Sequence, residues 1–200
     1  LMQTYIGAVL RAVGEADATL HEIAFEVIRQ TLQQGIVHPL RCIPSVVLSM
    51  ASPIPRIRQR AVDLFAALDG RHASLIYSRM LDCIQATAAF RKRVAHAVDA
   101  PRRCMRTPEA VMASFYGFAR QKKPRRVDFV RSLLKPYASI TPAGVHPDTV
   151  LLCRFIAENL ATFDYTSADE VLTVTTELDR VVADYGVPLL SLSDEEDANG

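Results

Sequence analysis

Between Gly35 and Tyr77 every join between apolar periodic segments carries a proline or a glycine: GIVHPLRCIPSVVLSMASPIPRIRQRAVDLFAALDGRHASLIY. Gly35 closes the preceding helix, where only a residue without Cβ enters the left-handed region cheaply. Pro39 sits where a helix can begin, because its missing N–H has no intrahelical partner there. Pro44 falls inside that helix and is expected to bend it or delay its first regular turn. Pro53 and Pro55 mark the next joint. From there Ile57, Ala61, Leu64, Phe65 and Leu68 recur on one helix face, opposite Arg56, Arg58, Arg60, Asp63 and Asp69. Gly70 is expected to end that helix. Helices joined by sharp turns are the pattern of a solenoid of stacked helical pairs.

Composition agrees. Half the residues are hydrophobic, Trp is absent and glycine is scarce, which favours an all-α chain with a sizeable core. Neither a signal peptide nor a transmembrane run is visible, and the chain opens inside a helical pattern, so it reads as a fragment of something longer. Cys42, Cys83, Cys104 and Cys153 are scattered, with no C-x-x-C and no paired histidine. They read as small core hydrophobes in a reducing compartment, not as a disulfide or metal set.

Thr4 to Val13 carries Tyr5, Ile6, Val9 and Leu10 at helical spacing. Thr19-Leu20-His21-Glu22 reads as a capping box. Its helix is expected to bury Leu20, Ile23, Ala24, Val27, Ile28 and Leu32 and to stop at Gly35. A long helix from about Ala73 to Val98 follows, with Leu75, Ile76, Leu81, Ile84, Ala88 and Val94 as its stripe. Arg91, Lys92 and Arg93 suit its C-terminal end. Thr107-Pro108-Glu109 starts the next helix, which buries Val111, Met112, Phe115, Phe118 and Ala119. Pro124 divides it from a short amphipathic helix marked by Val127, Val130, Leu133 and Leu134. Ala138 to Pro147 is an uncharged linker. Thr149 to Phe163, apolar nearly all round, predicts a helix buried between layers. Ser167-Ala168-Asp169-Glu170 is a second capping box, before a helix with Val171, Val174, Leu178, Val181 and Tyr185 on one side. About nine helices result. Paired, they make roughly four HEAT-like repeats of ~40–47 residues. Residues 1–192 form one helical-repeat segment of a larger protein, and 193–200 an acidic disordered tail.

The formal net charge is +1, but charge is segregated. From Arg102 to Lys135 ten Lys/Arg oppose two carboxylates, a net +8. From Asp148 onward twelve Asp/Glu oppose two arginines, a net −10. Such asymmetry speaks to partners more than to fold. Arg120, Lys122 and Lys123 suit a helix C-terminus. Arg125 and Arg126 fall in a first turn, where the dipole disfavours cations. Arg102, Arg103, Arg106, Lys122, Lys123, Arg125 and Arg126 are expected at two neighbouring interhelix joints along one edge. That edge suits duplex phosphates, which need cations but no fixed motif. It equally suits an acidic protein, or is simply solvated. Aromatic interleaving, which single strands require, is absent.

No catalytic constellation stands out. His21, His38, His72, His96 and His146 show no H-E-x-x-H spacing, and neither a nucleophile elbow nor a phosphate-cradling glycine loop occurs. No catalytic residue, metal site or cofactor is expected. His38, ahead of Pro39, is expected to bond a backbone group in its own turn.

The segment GIVHPLRCIPSVVLSMASPIPRIRQRAVDL resembles one near the C-terminus of the Nipped-B family, the large cohesin-loading subunits also called sister chromatid cohesion protein 2. The shared features are a glycine, two apolar residues, His-Pro, a Cys-aliphatic-Pro, and a Pro-x-Pro joint before an arginine-containing helix. Ile156-Ala157-Glu158-Asn159-Leu160-Ala161, followed by Phe163 and Tyr165, resembles a second family segment, in the right order. The resemblance implies an all-α, HEAT-like α-solenoid in a nuclear, chromatin-associated, non-enzymatic factor. It implies engagement of the cohesin complex through its ATPase heads and kleisin, contact with double-stranded DNA, and promotion of ATP-dependent cohesin loading. It implies no membrane contact, and it places the loader's adaptor subunit on a region outside this chain. A generic HEAT or armadillo scaffold in transport or signalling is the alternative.

Overall fold

The structure, a computed structural model, describes residues 2–97, 111–141 and 144–186. Arg102, Arg103, Cys104, Arg106, the helix start at Thr107 and the acidic tail lie outside the described residues. Among those described there are nine α-helices and no strand, only an isolated bridge between Thr141 and Gly144. The all-α helical-repeat class is therefore as the sequence predicts. The chain forms two compact units, Leu1–Phe118 and Ala119–Gly200.

The first unit holds α1 (Met2–Val13), α2 (Ala18–Gln33), α3 (Pro39–Met50), α4 (Pro55–Ser78) and α5 (Met80–Ala97). The helix that most resembles an all-round buried one is α3. Eight of its twelve residues are buried, among them Cys42, Ile43, Val46, Val47, Leu48 and Met50. It packs on α1, α2, α4 and α5. Ser49 tolerates this burial because its Oγ donates to the Ser45 carbonyl at 2.8 Å. Pro44 lies inside α3, yet the helix runs through it to Met50.

Both ends of the turn before α3 are built locally. Gly35 takes φ +68°, its N–H reaches the Leu32 carbonyl at 3.1 Å, and the Ile36 N–H reaches that of Thr31 at 3.0 Å. This is a Schellman closure. His38 then caps α3, its Nδ1 accepting from the Leu40 N–H at 3.3 Å, with Pro39 in the first turn. The local role expected of His38 is the one observed.

Three sequence expectations fail in this unit. The α2 cap is Asp17, whose carboxylate accepts from the Leu20 N–H at 2.7 Å; Thr19 lies inside the helix. The buried face of α2 is turned, carrying His21, Ala24, Phe25, Ile28 and Thr31, while Leu20 is 42% and Ile23 59% exposed. Phe25 and Ile28 belong to the same periodic pattern, so apolar spacing alone does not choose between adjacent faces. Finally, Gly70 does not end its helix. The break is a kink at His72 (φ −135°, ψ 31°), and the helix expected over 73–98 is divided at Arg79 between α4 and α5.

His21 is enclosed. Its Nδ1 lies 2.6 Å from the Val13 carbonyl, and its ring stacks on Phe90 at 4.9 Å. Arg93 of α5 donates to the Gly14 carbonyl at 2.5 Å, capping the end of α1. Farther along the core, Phe65 meets Phe115 and Phe118 edge-on at 5.2 and 4.9 Å.

Across the boundary between the units runs α6 (Ala113–Ala119). The second unit holds α7 (Lys123–Leu134), a 3-10 turn (Lys135–Ser139), α8 (Pro147–Thr162) and α9 (Ala168–Val181), which passes into a π-helical turn, Val182–Gly186. α7 buries Phe129, Val130, Leu133 and Leu134. α8 begins as α3 does, with His146 Nδ1 accepting from the Asp148 N–H at 3.3 Å ahead of Pro147. It is not buried all round. Cys153, Ile156, Asn159 and Leu160 face inward, whereas Val150 and Leu151 are exposed. Asn159 donates to the Phe155 carbonyl at 2.8 Å, Tyr165 to that of Leu160 at 2.6 Å, and Phe163 packs on Phe129 at 6.0 Å. The second family-like segment thus contributes Ile156, Asn159, Leu160 and Phe163 to the core of this unit. Ser167 caps α9, as the capping box predicts, accepting from the Glu170 N–H at 3.3 Å.

Candidate nucleic-acid interface

The four described cations of the expected basic edge fall at the start of α7. Lys122 is its N-cap, Lys123 and Pro124 lie in its first turn, and Arg125 and Arg126 follow. Proline is at home there, because no intrahelical acceptor awaits its nitrogen. Cations are not, since the unpaired N–H groups carry positive partial charge. The structure resolves the conflict for Arg126. It is 6% exposed, and its guanidinium binds Asp169 in the first turn of α9 while also donating to the Arg120 carbonyl at 3.3 Å. Lys123 Nζ lies 3.0 Å from the other oxygen of the same carboxylate. One acid near the positive end of α9, where a carboxylate is favoured, therefore holds two cations near the positive end of α7.

Below it the pattern repeats. Arg131 binds Glu177 at 2.9 Å, and Arg180 approaches the same carboxylate at 3.1 Å. Arg120 reaches across to the loop before α9, donating to the Asp164 carbonyl at 2.7 Å and to Thr166 Oγ1 at 2.8 Å. The inner face of α9 consists of Glu170, Val174 and Glu177, all buried. Of the apolar side expected there, Val174 is buried and Leu178 and Val181 are half-buried, whereas Val171 and Tyr185 are exposed. Thr166 and Ser167 donate to Glu170 at 3.0 and 3.1 Å, so that acid is satisfied where it is buried.

The basic and acidic segments thus neutralise each other across α7 and α9. Arg126 lies too deep for a phosphate to reach, and its role in the described structure is to hold α9. Lys122 and Lys123 are exposed at the start of α7, and Arg125 is half-buried beside them. Asp169, Glu170 and Glu177 are the residues that reading by apolar periodicity missed. Their signal was the near-equal and opposite charge of the two segments, and the i, i+4, i+7 spacing of Glu170, Val174 and Glu177. Among the described residues no cluster of three or more His, Cys, Asp or Glu could hold a metal, and no helix is long and apolar enough to cross a membrane.

The profile of the family described as Sister chromatid cohesion C-terminus (Nipped-B_C) matches residues 1–181. The chain belongs to the Nipped-B family. It is 28% identical over 193 residues to the human Nipped-B-like protein, covering 95% of this chain and 7% of that one. To the Nipped-B-like protein scc-2 of Caenorhabditis elegans it is 28% identical over 210 residues, covering 95% and 10%. To the sister chromatid cohesion protein mis4 of Schizosaccharomyces pombe it is 22% identical over 191 residues, covering 93% and 12%. The chain therefore spans about a tenth of the length of these Nipped-B relatives, and the match takes in both units. The helix stop at Gly35 and the buried contacts around Asn159 both lie within the matched range.

Proposed function

We propose that this chain is a non-enzymatic scaffold segment of a nuclear cohesin-loading factor, and that it contacts cohesin and duplex DNA while cohesin is loaded onto chromosomes with ATP hydrolysis. The observation that carries this reading is the Nipped-B family match over residues 1–181. In it, the ATPase heads and kleisin of cohesin are protein partners, and the loader's adaptor subunit binds elsewhere in the longer protein. Lys122, Lys123 and Arg125 supply phosphate contacts in this reading, and Arg102, Arg103 and Arg106 are the further cations that the sequence offers for them. Such contacts give affinity without sequence preference.

Fluorescence anisotropy with labelled random-sequence duplex, titrated in salt, tests the DNA role. The logarithm of the binding constant should fall linearly with the logarithm of salt concentration. Lys122→Glu with Arg125→Glu should weaken binding at least several-fold. Arg126 is unsuitable for charge reversal, because a glutamate there would face Asp169 in a buried place and report on folding instead. Absence of binding at low salt removes the DNA contact from this chain and leaves protein docking as its work.

A further inference from the structure

We infer that Asp169 is a built-in competitor for DNA phosphate, and that duplex binding at Lys122, Lys123 and Arg125 proceeds by exchange of the Asp169 carboxylate for a phosphate on Lys123. This rests on the DNA contact proposed above. The two cations on Asp169 differ in kind. Arg126 is buried and makes a second hydrogen bond to the Arg120 carbonyl. Lys123 is 69% exposed, its bond to Asp169 is a single contact at 3.0 Å, and Asp169 itself is 47% exposed. A pair so exposed is weakly held and screened by salt. An ammonium is a point charge on a flexible stem, able to turn from one oxyanion to another without a fixed fork geometry. Arg126 cannot follow, and it keeps Asp169 in place.

Asp169 therefore acts twice. It satisfies Arg126, which secures α9 to α7, and it places a negative charge beside the cations that a phosphate would seek. When a phosphate approaches, Lys123 leaves Asp169, and the carboxylate retains its buried partner. No covalent bond changes. The site is held below its full affinity by an acid that the fold needs.

The test is a double-mutant cycle on the chain, using labelled duplex of random sequence. Asp169→Asn keeps an oxygen acceptor for Arg126 but removes the charge. Its affinity at low salt should rise about two- to fivefold, within the range a released surface ion pair allows. Lys123→Gln should lower the salt slope by about 0.9, the loss of one phosphate contact. In the Lys123→Gln background, Asp169→Asn should then give little further gain. Equal affinity of Asp169→Asn and the parent chain, with the melting temperature of each within a few degrees, overturns the exchange while leaving the DNA contact standing. So does a gain that persists undiminished without Lys123, which marks a general charge effect. If Asp169→Asn loses its fold, the Lys123→Gln slope decides: an unchanged slope overturns the proposal. Failure of the parent chain to bind duplex at low salt overturns the exchange and the DNA contact together.

Discussion

Single residues in this chain do different work from what their chemical type first suggests. His21 is a core residue. Its ring lies against Phe90, its Nδ1 faces the Val13 carbonyl, and its buried Nε2 has no hydrogen-bond partner. Burial disfavours a charged ring, and this desolvation outweighs the help of the Val13 carbonyl and the nearby Glu22 carboxylate, so its pKa lies below the usual 6.5. The folded state thus binds this proton less readily than the unfolded one. Its contribution to stability is complete above about pH 6.5 and declines as pH falls below it. The melting temperature should therefore drop between pH 7.5 and pH 5. In His21→Gln, which keeps a donor for the Val13 carbonyl, the drop should be visibly smaller. An identical pH dependence in parent and variant would show that His21 does not titrate on unfolding. The other two structurally explained histidines, His38 and His146, are surface caps that pair with a following proline. The motif Val-His-Pro thus starts a helix twice, at Val37 and at Val145.

At the scale of an element, helix ends are better determined than helix faces. The stop after α2 follows from local chemistry. Gly35 has open space where a Cβ would lie, so its role is its positive φ and not a close approach. Gly35→Ala should therefore cost about 1–2 kcal/mol with no steric relaxation to offset it, and Gly35→Asn distinctly less. Urea unfolding of the chain, with the slope unchanged, would show it. Gly70 has equally open surroundings, but its φ is not positive, and the helix continues through it. A glycine is thus a stop only where the following contacts require the left-handed turn. The faces of α2 and α9 depended on what lies opposite. Leu20 and Ile23 fit a helical stripe as well as Phe25 and Ile28 do, and Val171 fits one as well as Glu170.

In the whole molecule, charge segregation along the sequence becomes pairing in space within the second unit. Arg126 with Asp169 and Arg131 with Glu177 join α7 to α9 where an apolar seam was expected. Removing Asp169 leaves the buried Arg126 guanidinium without a counter-charge, which costs about 3 kcal/mol or more. Asp169→Ala should accordingly destabilise the chain by roughly that amount in chemical denaturation, whereas Lys122→Gln should stay within about 0.5 kcal/mol. Similar losses for both would show that the buried pair carries no special weight. Of the seven residues expected at the basic edge, Arg126 is thereby assigned to structure. Lys122, Lys123 and Arg125 remain as its described cations.

What the amino-acid order determined alone is the local part: an all-α chain, the turns at Gly35–Pro39 and Pro53–Pro55, the cap at Ser167 and the core face of α4. Backbone preferences, proline geometry and side-chain caps act within a few residues, so they are legible without a fold. Tertiary structure decided which of two adjacent apolar faces was buried on α2, that α3 and not α8 is the helix buried nearly all round, and that α9 buries acids. Those outcomes turn on partners more than forty residues away, such as Asp169 for Arg126, and neither periodicity nor composition encodes which distant charge will stand opposite.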